Sequence, residues 1–328
     1  MNKRTFLHAS MMAAAAAAAL PRLVWAQKYP FTNPISVGLP LQAGSASDVA
    51  VRYVTNAMGA RMGLNFAVEN ITGAGGVVGL ERMARAKPDG QTVAALNNSI
   101  LTILPHLQPQ NVKVDTQTEF VPITGIANIP TFVGVPGNSA IKSIKDLVEA
   151  ARKDPDRVTY SSGGVGSPQH LAAEMFNAFA GVKLSHIPYK GASQATLAVA
   201  SGEVQVMPVA LSLALPFLAD KRIRLIGYCG SERHPKYPDI PTLQEEGIRN
   251  FDYASWIGLF VRKDTPAAAL ATLRAEAAAV VNDAAIQKQL EGAGLDPWPR
   301  TPAQLTQIIK DDFIKWQKII KDANIKST

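Results

Sequence analysis

Two glycine-rich junctions, each between a predicted strand and a predicted helix, constrain the fold of this chain most strongly. In one, Ser167 and Pro168 follow a glycine-rich loop in the order typical of a helix N-cap and a first helical residue. In the other, far upstream, Ser45 and Asp48 have the spacing of a capping box. The first N–H groups of a helix have no partner within it and lie at the positive end of its dipole. The sequence therefore predicts two loops able to bind an anion, with a plain capped turn as the alternative at each.

Strands and helices alternate along the chain, and this alternation predicts an α/β fold. The first three predicted strands, residues 35–40, 65–69 and 92–96, each end in a polar or glycine-rich loop. Helices are predicted near 48–62 and 80–86. In βαβ arrangements the strands are parallel and ligands bind at the loops after their carboxyl ends. We therefore expect a parallel sheet with its binding edge at these three loops.

A second α/β unit is predicted between residues 131 and 255. The chain enters it through a strand at 131–135 and leaves it through a strand at 256–261, and these two crossings form the expected hinge. The predicted elements between and after them are strands 158–161, 184–189, 204–209 and 223–228, helices 143–152, 168–179 and 192–200, a turn at 213–219, and closing helices 266–282 and 302–323. The expected domains are therefore 27–130 with 256–328, and 131–255.

The N-terminus has the parts of a secretory signal peptide. Lys3 and Arg4 precede an apolar, alanine-rich stretch, and a small-x-small pattern ends at Ala26. A membrane anchor is the weaker alternative, because alanine is barely hydrophobic and Pro21 with Arg22 interrupts the stretch. We expect a signal peptide at 1–26, cleavage after Ala26 and export to the periplasm. The Sec and twin-arginine routes both remain open.

Charge and cysteine content exclude two classes of function. Removing the leader takes away three basic residues and no acidic one, which lowers the formal net charge from +7 to +4. Because the basic residues are also scattered, we expect no nucleic-acid partner. The single cysteine, Cys229, excludes an internal disulfide and a cysteine-rich metal site, and its apolar surroundings predict a buried thiol.

No catalytic or metal-binding constellation is visible in the sequence. His170 and His186 lie near the predicted loops without the spacing of a metal motif, and we interpret both as structural histidines. Neither a nucleophile elbow nor a P-loop occurs. The glycines from Gly73 to Gly79 are spaced like a nucleotide-binding fingerprint, but they follow the second strand rather than the first. We therefore expect no catalytic residues, no metal and no cofactor.

Seven short motifs occur in a fixed order along the chain. They are Ala43-Gly44-x-x-x-Asp48, Gly73-Ala74-Gly75-Gly76 with Gly79, Pro88-Asp89-Gly90-x-Thr92, Gly166-Ser167-x-x-His170-Leu171, His186-x-Pro188-Tyr189-Lys190-Gly191, Pro238-Asp239-x-Pro241-Thr242 and Lys315-Trp316. As an ordered set they resemble the tripartite tricarboxylate transporter receptors, the Bug or TctC family of periplasmic solute-binding proteins. The resemblance extends from Tyr29 to Ile325.

This resemblance implies a fold, a ligand class and partners. The fold is a two-lobed periplasmic-binding-protein fold, type II-like, with two mostly parallel sheets flanked by helices and a ligand cleft between the lobes. The implied ligand is a small organic carboxylate, the implied partners are membrane transporter subunits that bind transiently, and we expect a monomer. The ligand-binding residues expected on this basis are Gln42, Ala43, Ser45, Ser47, Asp48, Gly75, Asn98, Ser99, Ser162, Gly163, Val165, Gly166, Ser167, His170 and Tyr189.

Two loops depart from the family pattern. Pro40-Leu41-Gln42-Ala43-Gly44-Ser45 stands where the family usually has Pro-Phe-Pro-Ala-Gly-Gly, and Asn70-Ile71-Thr72-Gly73 stands where it usually has Asn-Arg-Pro-Gly. The identity of the ligand therefore does not follow from the resemblance. Two other functions remain open: an exported α/β enzyme acting on a small carboxylate, and a ligand-sensing partner of a signalling protein.

Overall fold

The structure, a computed structural model, describes residue 31 and residues 33–325. The predicted signal peptide and its cleavage site lie outside the described residues. None of the helices in this described part combines the length and the apolar character needed to cross a bilayer.

Eleven strands and ten α-helices alternate through residues 35–322. The strands are β1 (Ile35–Leu39), β2 (Phe66–Asn70), β3 (Thr92–Asn97), β4 (Phe120–Asn128), β5 (Thr131–Pro136), β6 (Thr159–Ser162), β7 (Ser185–Pro188), β8 (Met207–Ala210), β9 (Ile223–Tyr228), β10 (Trp256–Arg262) and β11 (Asp296–Arg300). The helices are α1 (Ala46–Met62), α2 (Val77–Ala84), α3 (Leu104–Leu107), α4 (Ile144–Lys153), α5 (Pro168–Ala180), α6 (Ala192–Ser201), α7 (Leu211–Ala219), α8 (Ala267–Val281), α9 (Ala284–Gly292) and α10 (Pro302–Asp322). A 3₁₀ turn at Ala74–Gly76 precedes α2, and a π turn at Ser99–Ile103 precedes α3.

A six-stranded sheet, in the order β11-β4-β10-β3-β1-β2, forms the half of the molecule that we call the first lobe. The strand β1 pairs in parallel with β2 and β3, as the βαβ pattern predicts. The strand β10 is antiparallel to both β3 and β4, and β4 is antiparallel to β11. The prediction of mostly parallel sheets is therefore wrong, and the sheet is mixed. The start of β10 pairs with the end of β3, because Ile257 lies opposite Asn97 and Phe260 lies opposite Ala94. The two strands therefore run in opposite directions.

The second lobe is built on two small sheets. The strands β8, β5 and β9 pair antiparallel, with β5 in the middle, while β6 and β7 pair in parallel. A parallel bridge between Tyr160 and Val206 links the two sheets. The helix α7 covers residues for which the sequence predicted a turn. It continues through Pro216, which lies inside it and lacks the main-chain N–H of a helical residue.

The helix α10 packs against both lobes. Near its start, Leu305 and Ile309 lie in an apolar core with Trp256 and Trp298 of the first-lobe sheet. Near its end, Trp316 is buried in the core of the second lobe. The two-lobed α/β fold is confirmed, while the exact lobe boundaries, 130/131 and 255/256, stay predictions.

Candidate functional site

A cleft of about 490 Å³ lies between the lobes, at the carboxyl ends of the first-lobe strands β1 and β2. The loops after these strands form one wall, and the loops after β6 and β7 form the other. The polar side chains that line it are Gln42, Ser45, Ser47, Thr72, Thr131, Ser167, Gln169, Lys190 and Ser255. No aspartate or glutamate among the described residues belongs to the lining, so its one charged side chain is cationic.

Five helices begin at this cleft. The residues that precede them all line it, namely Ser45 before α1, Gly76 before α2, Ser167 before α5, Gly191 before α6 and Ala210 before α7. Each helix start presents N–H groups without intrahelical partners and the positive end of a dipole. Their convergence makes the cleft electropositive without relying on arginine, which suits an anion.

Two of these five helices are closed by serine caps, and three are not. The hydroxyl oxygen of Ser45 accepts a hydrogen bond from the Asp48 N–H at 3.3 Å, and that of Ser167 accepts one from the His170 N–H at 3.4 Å. No side chain caps the helices that follow Gly76, Gly191 and Ala210. Main-chain carbonyls accept the first N–H groups of two of these helices, because Val77 and Val78 of α2 donate to Ala74 and Gly73, and Leu211 of α7 donates to Pro130. Among the described residues no partner outside the helix accepts the Ala192 N–H at the start of α6, so this group is available to water or to a ligand. The two serine hydroxyls keep a proton to donate.

Asp48 braces the first-lobe loop from behind. Its Oδ2 accepts hydrogen bonds from the Gly44 N–H and from Arg52 Nε, both at 3.0 Å, and its Oδ1 accepts one from Asn70 Nδ2 at 2.9 Å. Burial alone would raise the pKa of Asp48, but the hydrogen bonds from Arg52, Gly44 and Asn70 outweigh it and lower the pKa overall. The carboxylate stays ionised, and both of its oxygens already accept hydrogen bonds. Its charge is balanced by Arg52, which does not line the cleft.

A buried polar network supports the second-lobe glycine loop. His170 Nδ1 accepts a hydrogen bond from the Gly166 N–H at 3.2 Å, and His186 Nε2 lies 2.6 Å from Ser162 Oγ. The two imidazole rings are 4.6 Å apart. Burial, and then the neighbouring His186, lowers the pKa of His170 to about 4. Both histidines therefore support the loop as neutral rings. Ser162 pairs with one of these bases, but it is fully buried and does not line the cleft.

The two walls of the cleft touch at several points. An ideal Cβ on Gly75 would lie 3.1 Å from the Cα of Gly166, so the two backbones meet where only glycine fits. Ser193 Oγ donates a hydrogen bond to the Gly44 carbonyl at 3.2 Å. The carboxamide of Gln42 lies over Gly191, where a Cβ would be 1.4 Å from its Oε1. The described conformation is therefore one in which the lobes are closed on each other.

Comparison with known proteins decides the family. Residues 50–325 match the family described as "Tripartite tricarboxylate transporter family receptor", TctC. The chain belongs to this family. It is 30% identical over 297 residues to the UPF0065 protein in the tcbD-tcbE intergenic region of Pseudomonas sp. (strain P51), which covers 90% of this chain and 88% of that protein. The predicted family is thus confirmed.

Two solved structures show the same architecture as this TctC-family receptor. The periplasmic binding protein BugD has a TM-score of 0.84 and 26% identity, covering 92% of this chain and all of that one (100%). The R. palustris protein Rpa4515 with adipate has a TM-score of 0.85 and 25% identity, covering 91% and 99% of the two chains. Both likenesses extend over the two lobes and the cleft between them.

The fifteen residues predicted to bind ligand in this receptor divide into two groups. Seven line the cleft: Gln42, Ser45, Ser47, Gly75, Gly163, Val165 and Ser167. The other eight lie outside its lining: Ala43, Asp48, Asn98, Ser99, Ser162, Gly166, His170 and Tyr189. Contact with a ligand stays a prediction for both groups, and the geometry favours the first.

Several residues of the second group have other partners in the described conformation. Asn98 donates from Nδ2 to the Ala254 carbonyl at 2.7 Å, and its Oδ1 accepts from the Trp256 N–H at 3.4 Å, so it ties β3 to the strand that returns from the second lobe. The Tyr189 hydroxyl donates to Glu203 at 2.7 Å. Ser99 is buried at the start of the π turn. These side chains position the walls of the TctC-family cleft.

The sequence analysis missed five polar residues that line the cleft. They are Thr72, Thr131, Gln169, Lys190 and Ser255. Lys190 lay within a quoted motif and directly after a predicted strand, so the rule that ligands bind after strand ends could have found it. Thr131 and Ser255 lie at the two lobe crossings, where the sequence carries no signal that points to a ligand.

Potential metal ligands are not clustered in the part of this receptor that the structure describes. Across residues 31 and 33–325, no group of three or more histidine, cysteine, aspartate or glutamate side chains is arranged to hold a metal ion. Cys229 is buried, and burial raises the pKa of its thiol, so it stays protonated.

Proposed function

We propose that this chain is an exported receptor that captures a small organic carboxylate in the interlobe cleft and delivers it to a tripartite tricarboxylate-type membrane transporter. Its membership of the TctC family supports the receptor role and the periplasmic location. The proposal adds the ligand class, the delivery step and a signal peptide removed after Ala26. A mature chain that begins at Gln27, read by intact mass, would support the last of these.

One observation carries the ligand class: five helix starts and one lysine lie at a cleft whose described lining contains no carboxylate. Each helix N-terminus stabilises a negative charge close to it by roughly 0.3–1 kcal/mol at exposed sites, and more where water is excluded. A ligand ammonium group has no acidic partner there, because Asp48 is occupied by Arg52, Asn70 and Gly44. The cleft is therefore suited to carboxylates without an amino group.

The seven cleft-lining residues among those predicted from the sequence are the proposed ligand contacts. Ser45, Ser47 and Ser167 can each donate a hydroxyl proton to a carboxylate oxygen. Gly75 and Gly163 allow the ligand to approach the backbone closely. Lys190 is added as the cation for a second carboxylate. The related Rpa4515 was solved with adipate, a dicarboxylate, which supports a ligand with two acidic ends.

A thermal-shift screen tests the ligand class directly. The mature protein is screened against adipate, succinate, citrate, benzoate and aspartate, with ATP as the nucleotide control. A carboxylate that binds only the folded state, at 100 times its Kd, raises the free energy of unfolding by about 2.7 kcal/mol, which shifts the midpoint by several degrees. If ATP shifts the midpoint and no carboxylate does, the proposal is wrong.

The same ligand, once found, separates a receptor from an exported enzyme. Among the described residues, the pairing of Ser162 with His186 is the contact that favours hydrolysis, but Ser162 is fully buried. We therefore expect the ligand to be recovered unchanged after long incubation. Turnover that scales with protein concentration and survives repurification would contradict the receptor role. Recovery of transporter subunits from membranes, dependent on ligand, would support delivery over signalling.

A further inference from the structure

A second, smaller cavity lies in the first lobe and shares no lining residue with the cleft. Its volume is about 150 Å³, and it is bounded by β4, the end of α8, the end of β11 and the start of α10. Two arginines, Arg274 and Arg300, line it. Among the described residues that line this cavity there is no aspartate or glutamate. Two basic residues thus border one small cavity whose described lining holds no acidic side chain.

Hydrogen bonds hold the side chain of Arg274 in place and leave some of its N–H groups without a partner. Its Nε and Nη2 both donate to the Pro122 carbonyl, at 3.1 and 2.9 Å, which leaves Nη1. Within residues 31 and 33–325, no carboxylate lies within ion-pair distance of it. Partial burial lowers the pKa of its guanidinium, as expected for a cation that has lost water and gained no anion.

Arg300 is held in a similar way. Its Nη1 donates to the Pro299 carbonyl at 2.9 Å, and its guanidinium carbon lies 4.7 Å from the centre of the Trp298 ring. Stacking of this kind restricts the side chain and adds cation–π stabilisation. Its Nε and Nη2 remain available, and in the described part of the chain it also forms no ion pair. Each guanidinium therefore has a fixed position and unused N–H groups.

The surrounding main chain does not compete with these arginines for an anion. The helix α10 begins at the cavity, and its N-terminal groups are closed by the capping box of Thr301 and Gln304. At the end of α8, the Ala278 and Val281 carbonyls accept hydrogen bonds from the side chains of Asn282 and Gln287. The dipole of α10 adds to the positive potential and the C-terminal end of α8 subtracts from it, so the two arginine side chains have to supply the attraction for an anion.

We infer that Arg274 and Arg300 form a second anion site that binds a small oxyanion, namely sulfate, phosphate or a free carboxylate such as acetate. Guanidinium groups bind such oxygens with short, charge-assisted hydrogen bonds. A cavity of about 150 Å³ is well below the roughly 300–1,000 Å³ of pockets for drug-sized ligands, which excludes a nucleotide or a large organic acid. The site is distinct from the carboxylate cleft and does not depend on its function.

Sulfate binding to three arginine variants tests this site. The probes are sodium sulfate, sodium phosphate and sodium acetate, each compared with sodium chloride at equal ionic strength, with calorimetry for affinity. We expect Arg300→Gln to weaken sulfate binding at least tenfold. Arg222→Gln is the matched control, because Arg222 also lies over an aromatic ring, Phe217, at 5.2 Å but lines neither cavity.

Further variants keep the result unambiguous. Arg274→Gln also loses the hydrogen bonds to Pro122, so its melting midpoint is measured alongside its affinity. Ser167→Ala reports sulfate that binds in the main cleft instead. Loss of one sulfate site in Arg300→Gln but not in Arg222→Gln, with that site retained in Ser167→Ala, supports the second site. Unchanged binding in Arg300→Gln, or loss only in Ser167→Ala, overturns it. The three probes then rank sulfate, phosphate and carboxylate as occupants.

Discussion

At the scale of single residues, Ser167 combines a cap with a place in the cleft. Its oxygen accepts from the His170 N–H, and the residue lines the cleft. Ser167→Ala should lower the free energy of unfolding by about 1 kcal/mol through the lost cap. If the hydroxyl also donates to a ligand carboxylate, the loss of a charge-assisted hydrogen bond, about 1.5–3 kcal/mol, should weaken affinity tenfold or more. Calorimetry and thermal melting measure the two effects separately.

Ser143 is the matched control for this substitution. It caps α4 in the same lobe, with its oxygen accepting from the Asp146 N–H at 3.1 Å, and it does not line the cleft. Ser143→Ala should therefore lower stability by a similar amount and leave affinity unchanged. Equal affinities for both variants and the wild type would reduce Ser167 to a cap.

His170 predicts how stability depends on pH. The pKa of His170 falls from 6.5 to about 4 on folding, so between these values the unfolded chain binds a proton that the folded chain does not. Stability is therefore complete above pH 6.5 and is lost as the pH falls towards 4, by up to about 3 kcal/mol for this one group. Denaturant unfolding between pH 7 and pH 4.5 measures the slope.

The variant His170→Asn isolates this contribution. An asparagine oxygen can still accept from the Gly166 N–H, as His170 Nδ1 does, but it does not titrate. We expect the variant to be less stable at pH 7 and to lose stability less steeply as the pH falls. The pH dependence of stability can be compared directly between the variant and the wild type, because His106, His186 and the carboxylates are present in both proteins. Parallel slopes would contradict the prediction.

At the scale of elements, start signals made helices easier to predict than strands. Ser45 and Ser167 mark the starts of α1 and α5 in the sequence as in the structure. The strand β4 was not predicted, because Pro122 and Gly125 interrupt its apolar pattern. The strand β11 was also missed, since Asp296–Arg300 contains two prolines, which an edge strand tolerates when its N–H groups need no partner. Whether such segments form strands depends on their pairing within the sheet, and a local sequence pattern does not show that pairing.

The sequence predicted the loops of the candidate site but not all of its side chains. Strand-end rules identified the loops, because parallel strands bring their carboxyl ends to one edge. They did not identify which side chains point into the cleft. Asn98 follows β3 as expected, yet it turns towards Ala254 because the returning chain needs its hydrogen bonds. Lys190 lines the cleft while its neighbour Tyr189 does not. These choices depend on contacts between segments far apart in sequence.

At the scale of the whole molecule, the close approach of Gly75 and Gly166 predicts a limit on closure. Gly75 has φ +68°, and a Cβ there would lie 3.1 Å from the Gly166 Cα and the Val165 oxygen. Gly75→Ala should therefore hold the lobes slightly apart. Overpacking of this kind costs roughly 1–3 kcal/mol, so ligand affinity should fall about tenfold or more. Calorimetry gives the affinity, and small-angle scattering with ligand should show a less compact particle than the wild type.

Gly63 provides the control for backbone strain. It has φ +64°, close to that of Gly75, and nothing lies within 4 Å of a Cβ placed on it. Gly63→Ala should thus carry the same left-handed penalty, roughly 1–2 kcal/mol, without affecting closure. An equal loss of affinity in both variants would assign the effect of Gly75→Ala to strain instead of to contact between the lobes.

The helix starts that lack a side-chain cap have one more consequence, which concerns the acid–base behaviour of capture. Main-chain amides neither gain nor lose a proton in the physiological range, and no aspartate, glutamate or histidine is among the described lining residues. The positive character of the cleft is therefore constant from weakly acidic to neutral medium. A change in uptake over that range should follow the ionisation of the cargo itself, so that acids of different strength lose capture at different pH values in the same receptor.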